Sequence, residues 1–172
     1  MNRRKAVAVL SLSSLAAAQA KQSAIRNKFI GVWKLVSCES RDKTSGEVQY
    51  PYGVSPVGRI TYEAAGRMSV QLMNPGRRRV GGPPSGGAVS AVQGILCEEM
   101  REMLSGYVAY FGTFEIDEPS RKVTHYVQAC LIPSWVGTAL PRSYEFVSDD
   151  LLVLTAFFDQ AVNKLVWQRD TG

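Results

Sequence analysis

Gly106–Val127, GYVAYFGTFEIDEPSRKVTHYV, is the stretch whose reading decides the fold. Two alternating runs, Tyr107–Ile116 and Lys122–Val127, flank the segment Asp117–Arg121, which contains Pro119. Successive side chains of a strand point to opposite faces, so a period of two interrupted by a Pro-containing turn specifies an antiparallel hairpin. The stretch also concentrates aromatic residues (Tyr107, Tyr110, Phe111, Phe114, Tyr126) around His125, the single histidine of the chain. Parity sets His125 on one face with Val123 and Val127, and Thr124 and Tyr126 on the other. Tyr107 and Tyr110 have opposite parity, and both reach one face only if a bulge intervenes, for which Gly112 is the natural place.

The same signals recur on either side. Phe29–Cys38 reads as a first strand, Val48–Tyr50 as a short extended piece held so by Pro51, and Arg59–Glu63 and Arg67–Met73 as a second hairpin around Ala65-Gly66. Arg142–Val147, Leu151–Phe157 and Val162–Arg169 close the chain. Between them, Asn74–Gly87 carries too many glycines and prolines for regular structure. Ser90–Ser105 places Val92, Leu96, Met100, Met103 and Leu104 three or four apart, which predicts one helix with a single apolar face. About eight strands, one helix and few connections long enough for parallel crossovers predict an all-β, antiparallel fold. Closure into a barrel removes the exposed edges, and a barrel of about eight strands has room for one small ligand. A two-sheet sandwich is the competing arrangement.

At 172 residues with 45% hydrophobic and 20% charged residues, the chain has the composition of one globular domain. Residues 1–20 stand apart. A basic start (Arg3, Arg4, Lys5), a small and aliphatic run from Ala6 to Ala18 and the motif Ala18-Gln19-Ala20 have the grammar of a secretory signal peptide, too short in its apolar part for a stable membrane span. The expectation is an exported protein, periplasmic or secreted, cleaved near Ala20, with residues 21–28 a polar tether having room for one helical turn and 29–172 the folded domain. Removing the three basic residues lowers the formal charge from +5 to +2. The remaining cluster, Arg77-Arg78-Arg79, lacks interleaved aromatics and reads as a solvated loop, so no nucleic-acid partner is expected. Cys38, Cys97 and Cys130 have no metal spacing, and a lone histidine cannot complete a zinc site, so neither metal nor cofactor is expected. The residues leave the pairing of the three cysteines and the oligomeric state open.

Several segments together carry a family resemblance. They are Gly31-Val32-Trp33, Tyr50-Pro51-Tyr52-Gly53, Pro56-Val57-Gly58, Ile60-Thr61-Tyr62, Gly66–Gln71, Gly106–Phe114, Val123-Thr124-His125, Trp135-Val136-Gly137, Arg142 and Leu165-Val166-Trp167. The pattern resembles the microbial lipocalin-like domain family across nearly all of Phe29–Arg169. Phe114 stands where a tyrosine is expected, and the loop at Pro75–Gly87 is longer than the family pattern. The resemblance implies a calycin-type barrel in which Trp33 plugs the closed end with Arg169 stacked on it. It implies little about activity, because related barrels either hold apolar ligands or shape a substrate for cyclisation or isomerisation.

The ligand-lining residues expected on this reading are Tyr50, Tyr62, Met68, Tyr107, Phe111, His125, Trp135 and Arg142. Buried tyrosine hydroxyls need polar partners, which suits a cavity with a few anchors. A buried arginine needs an anion, and Glu63, Glu115 or a ligand carboxylate are the candidates. His125, whose ordinary pKa of ~6.5 allows acid–base work, is the leading catalytic candidate, with Tyr107 and Tyr110 beside it. The alternative for His125 is a hydrogen-bonded polar group in an apolar wall. No G-x-S-x-G elbow is present. The expected function is binding of a small, largely apolar molecule in the lumen. The alternative is a cyclase or isomerase acting through His125 and tyrosines, and the residues leave open whether the chain is an enzyme.

Overall fold

Period-two alternation is realised around a complete ring. The computed structural model describes residues 24–78 and 95–172. In chain order the strands are β1 (Gly31–Asp42), β2 (Val48–Gln49), β3 (Val57–Tyr62), β4 (Arg67–Met73), β5 (Tyr107–Asp117), β6 (Lys122–Cys130), β7 (Ala139–Ser148), β8 (Leu151–Phe157) and β9 (Ala161–Arg169). All neighbours pair antiparallel in the order β2-β1-β3-β4-β5-β6-β7-β8-β9, and β1 also pairs with β9. Eight strands therefore close a barrel, and short β2 extends beside the far half of β1. Closure gives every long strand two partners and leaves no long edge free to template aggregation.

Strand limits depart from the expected ones where tertiary packing overrides local pattern. The first strand begins at Gly31 rather than Phe29, because residues 24–29 are helical. Gly31 sits at φ 131°, a backbone conformation that an L side chain rarely adopts, and turns the chain from that helical segment into β1. Residues 24–29, within and just beyond the expected tether, close one end of the barrel. Phe29 is fully buried and meets Tyr62, Tyr144 and Phe146 edge-on at 5.0–5.3 Å. The Arg26 guanidinium lies 4.9 Å from the centre of the Phe114 ring. Residues 1–23, with the expected signal peptide, lie outside the described residues, as does 79–94 with most of the Gly/Pro-rich loop.

Trp33 and Arg169 lock this end. Trp33 Nε1 donates to the Phe29 carbonyl at 2.8 Å, and the Arg169 guanidinium covers the indole at 4.1 Å. The same guanidinium donates to the carbonyls of Ile30 (3.0 Å) and Lys28 (2.7 Å) from Nη1 and Nη2, and to that of Asp149 (3.2 Å) from Nε. One side chain thus satisfies three carbonyls at the junction of both chain ends. Arg169→Met, which keeps the stem but removes the donors, is expected to cost about 2 kcal/mol in urea denaturation. An unchanged midpoint would show the lock to be ornamental.

The helix, here α1 (Cys97–Leu104), is half the expected length, and its expected first residues fall outside the described part. It was expected to pack through one apolar face, but none of its residues is buried, and Leu96, Met100 and Leu104 remain 69%, 42% and 52% exposed. Charge holds it instead. Arg78 pairs with Glu99 (3.3 Å) and Glu102 (2.8 Å), while Arg77 donates to the Met103 carbonyl at 2.6 Å and lies 4.9 Å from the centre of the Tyr107 ring. Two members of the arginine triplet, expected to be solvated, therefore tether α1 to the start of β5. Among the described residues no helix is long and apolar enough to cross a membrane.

Candidate functional site

Inward residues of the closed half, among them Trp33, Tyr62, Met68, Phe114, Val123 and Leu152, pack into one solid core with Phe29. The opposite half is hollow. A cavity of about 80 Å³ opens there, walled largely by aliphatic residues of β3, β4, β5, β8 and β9. Tyr52, Trp135 and Phe158 come from three separate loops to line its mouth. Lys43 fixes the last of these loops. Its backbone N–H donates to the Gln160 carbonyl at 2.9 Å and its ammonium to the carbonyls of Phe158 and Asp159.

His125 lies against the solid half, 1% exposed, with both ring nitrogens occupied. Nε2 is 2.8 Å from the Tyr62 hydroxyl and Nδ1 is 2.9 Å from the Tyr110 hydroxyl. Burial, with the positive charge of Arg142 nearby, pulls its pKa down to about 3, so the ring is neutral. A neutral imidazole has one donor and one acceptor nitrogen. One tyrosine therefore donates to the ring while the ring N–H donates to the other, and reversing the tautomer reverses both bonds. Burial pushes the Tyr110 phenol up to about 12, against an opposing pull from the nearby Arg142 guanidinium. Tyr62, wholly buried, is raised well above its ordinary value, again by burial first. Both phenols thus remain protonated, as donors need to be.

The lining residues include Arg142, Asn163 and Trp167 and no carboxylate. Trp167 Nε1 and Asn163 Oδ1 are buried without a hydrogen-bond partner. Cys38 also lines the cavity, but burial raises its thiol to about 12, which removes thiolate chemistry at neutral pH. All three cysteines are free. No cluster of histidine, cysteine or acidic residues among the described residues is arranged to hold a metal ion.

Of the residues expected from sequence, the structure brings Tyr110, His125, Trp135 and Arg142 together at the cavity. Tyr62 lies beneath it, bonded to His125, and Met68 is core. Three of the expected residues lie away from this cavity. Tyr50 is 45% exposed outside the mouth, Phe111 is exposed on the outer face, and Tyr107 is half-buried under Arg77 rather than lining the lumen. The reason is register. A bulge does occur at Gly112, but it follows both Tyr107 and Phe111, and the extra residue is Gln128 of β6, so the parity of β5 is undisturbed. The alternation of Tyr110, Gly112 and Phe114 inward leaves Tyr107 and Phe111 on the other face. Glu63 and Glu115, proposed partners for a lumen arginine, serve elsewhere: Glu63 pairs with Arg67 at 2.7 Å and Glu115 accepts from Tyr126 at 3.0 Å. Sequence reasoning missed Tyr52, Asn163 and Trp167. The parity of Asn163, Leu165 and Trp167 along β9 was the available signal for the last two.

The strands thus form a closed antiparallel barrel, solid at one end and hollow at the other. The chain belongs to the lipocalin-like domain family, whose pattern it matches over residues 30–169. No curated protein matches it. Solved structures with a similar course include a redesigned β-barrel (10% identity, TM-score 0.40, covering 84% of this chain and 94% of that one). A de novo designed fluorescence-activating β-barrel is similar at 11% identity and TM-score 0.40 (84% and 96%). As-p18, an extracellular fatty acid binding protein, is similar at 13% identity and TM-score 0.38 (84% and 97%).

Proposed function

We propose that this chain is an exported binding protein that holds a small, largely apolar molecule in the hollow half of its barrel. The observation that carries this reading is the cavity itself: aliphatic walls with a few polar groups are the usual make-up of a ligand site. Its volume, about 80 Å³, has room for on the order of five water molecules. The enclosed part of a ligand is therefore a few heavy atoms, with the remainder lying among Tyr52, Trp135 and Phe158 at the mouth. Export rests on the arrangement of residues 1–20, and an intact mass starting at Lys21 in protein recovered from a secreting host would support it.

Ala156 tests the site directly. It is buried, lines the cavity and has a side chain too small to fill it. Ala156→Phe is expected to occupy the lumen and lower affinity for an apolar fluorescent probe such as 1-aminoanthracene by at least about tenfold, with the fold retained by circular dichroism. Equal probe affinity in both proteins, with no small molecule retained by the wild type in native mass spectrometry, would overturn the reading.

A second reading, an enzyme of the cyclase or isomerase type, draws support from the Tyr62–His125–Tyr110 chain beside Arg142. Because both imidazole nitrogens are taken, the group facing a substrate would be the Tyr110 hydroxyl, with His125 as its positioning residue. On that reading Tyr110→Phe loses turnover while binding survives.

A further inference from the structure

Three strand arginines of this fold pair with a carboxylate, whereas exposed Arg41, which donates to the Gly46 carbonyl at 3.0 Å, and Arg142 at the lumen do not. Arg59 pairs with Asp170, Arg67 with Glu63 and Arg169 with Asp150, and off the barrel Arg78 pairs with Glu99 and Arg101 with Glu98. Among the described residues Arg142 pairs with no carboxylate. Its one bond to a carbonyl is to the adjacent Pro141, at 3.0 Å, and its other neighbour is the neutral Tyr110 hydroxyl. Guanidinium offers five N–H donors in a planar fork and accepts nothing, so most of its capacity is unused. Arg142 is half-buried, so water meets part of that capacity, while the part turned to the cavity faces aliphatic walls and no carboxylate.

Trp167 supplies an independent observation of the same sign. Its indole, 1% exposed, lines the same cavity, and Nε1 has no partner. Indole N–H is a donor only. A buried donor left unmet costs about 1–3 kcal/mol, and most buried polar groups are paired. The cavity wall therefore carries one buried unmet donor, Trp167 Nε1, and one positive charge without an acidic partner, and no acidic side chain. What is missing is an acceptor-rich anion.

We propose that the ligand is a small carboxylic acid, bound as its carboxylate, with the head group held by the Arg142 guanidinium and the Tyr110 hydroxyl and with Trp167 Nε1 donating to a further acceptor atom of the same molecule. This deepens the ligand-binding reading above and rests on it. A planar carboxylate suits the guanidinium fork, and its apolar remainder suits the aliphatic walls and the aromatic mouth. Asn163 Oδ1, also unpartnered, adds a polar position on β9 where a ligand hydroxyl or amide donor is satisfied. Any acceptor oxygen would meet the indole N–H; it is the positive charge of Arg142, with no carboxylate in the wall, that favours an acid over an alcohol.

Hexanoate and hexan-1-ol, which share a chain and differ in the head group, are the probes, titrated calorimetrically into the purified full-length chain. Hexanoate is expected to bind at least about tenfold tighter. Arg142→Met is expected to remove that advantage while leaving hexanol affinity within about twofold, so the hexanol arm reports that the cavity has survived the substitution. Arg142→Lys retains charge without the fork and is expected to fall between. Trp167→Phe keeps the volume and removes the donor, with an expected loss of about threefold for hexanoate alone. Equal affinity for acid and alcohol in the wild type, or a hexanoate affinity indifferent to Arg142→Met, would sink the anion proposal while leaving lumen binding intact. Binding of neither probe would remove the lumen reading and the proposal together.

Discussion

Gly112→Ala is expected to cost about 3 kcal/mol or more, a fall of roughly 10 °C in Tm for a chain of this size. A Cβ built on Gly112 lies 1.9 Å from the Tyr126 carbonyl oxygen, 3.0 Å from the carbon of that carbonyl and 3.1 Å from Gln128 N. These are backbone atoms of the neighbouring strand, so no side-chain rotation relieves the overlap. Relief requires β5 and β6 to part at the bulge, where Gly112 pairs with Val127 and Phe111 with Ala129. The bulge sits between the residues that matter most. Tyr110 precedes Gly112 on β5 and His125 lies just before Tyr126 on β6, bonded to Tyr110 across the step. A methyl group at residue 112 therefore loosens the polar chain as well as the ladder. Differential scanning calorimetry of Gly112→Ala measures the loss; a Tm within a degree or two of wild type would mean that the strands absorb the methyl and that the close approach is not required.

The barrel was legible because its determinants are local and periodic. Strand β4 begins and ends where alternation does, and parity correctly placed Val123, His125 and Val127 on one buried face. The Trp33–Arg169 stack was legible from the family pattern and lies where that pattern implies. What escaped is what only three dimensions decide. Tyr107, Phe111 and Tyr110 compete for the lumen through parity, and the bulge that could have reconciled them falls downstream of all three, on the partner strand. Helix α1 has the spacing of a packed helix, yet charges from Arg77 and Arg78 hold it and its apolar stripe stays exposed. Trp167 and Asn163 carry no motif. Their importance lies in lacking partners, a property of the assembled barrel that no spacing encodes.

Acid is expected to destabilise this protein in a window set by His125. Its pKa falls from 6.5 to about 3 on folding, so the folded ring is neutral while the unfolded chain takes up a proton below about pH 6.5. Between those values unfolding binds a proton, and stability drops by about 1.4 kcal/mol for each unit of acidification, or roughly 3 kcal/mol by about pH 4.5. The carboxylates of Asp42 and Asp149 are held below their ordinary range by hydrogen bonds from Thr44, Ser45 and Lys28. Their contribution is present above the ordinary carboxylate value of 3.8 and is lost only as pH falls below it, starting at the acid end of the histidine window. The phenols give the mirror image: Tyr52 and Tyr110 are raised to about 12 by burial, so their contribution holds below about pH 10 and is lost as pH rises from there through 12.

His125→Gln separates titration from packing, because an amide can still donate to one tyrosine and accept from the other without taking up a proton. Urea denaturation at about pH 7 and about pH 4.5 is expected to show the acid loss in wild type and most of it gone in His125→Gln. His125→Leu leaves the Tyr62 and Tyr110 hydroxyls without their partner and is expected to cost about 3 kcal/mol already at neutral pH. Removing those hydroxyls as well, with Tyr62→Phe and Tyr110→Phe, is expected to return much of that stability, since an apolar trio leaves nothing unsatisfied. An acid slope unchanged in His125→Gln would place the sensitivity elsewhere. Recovery in the triple variant, together with lost affinity for hexanoate, would show that the chain from Tyr62 to Arg142 is kept for the ligand it presents rather than for the stability it supplies.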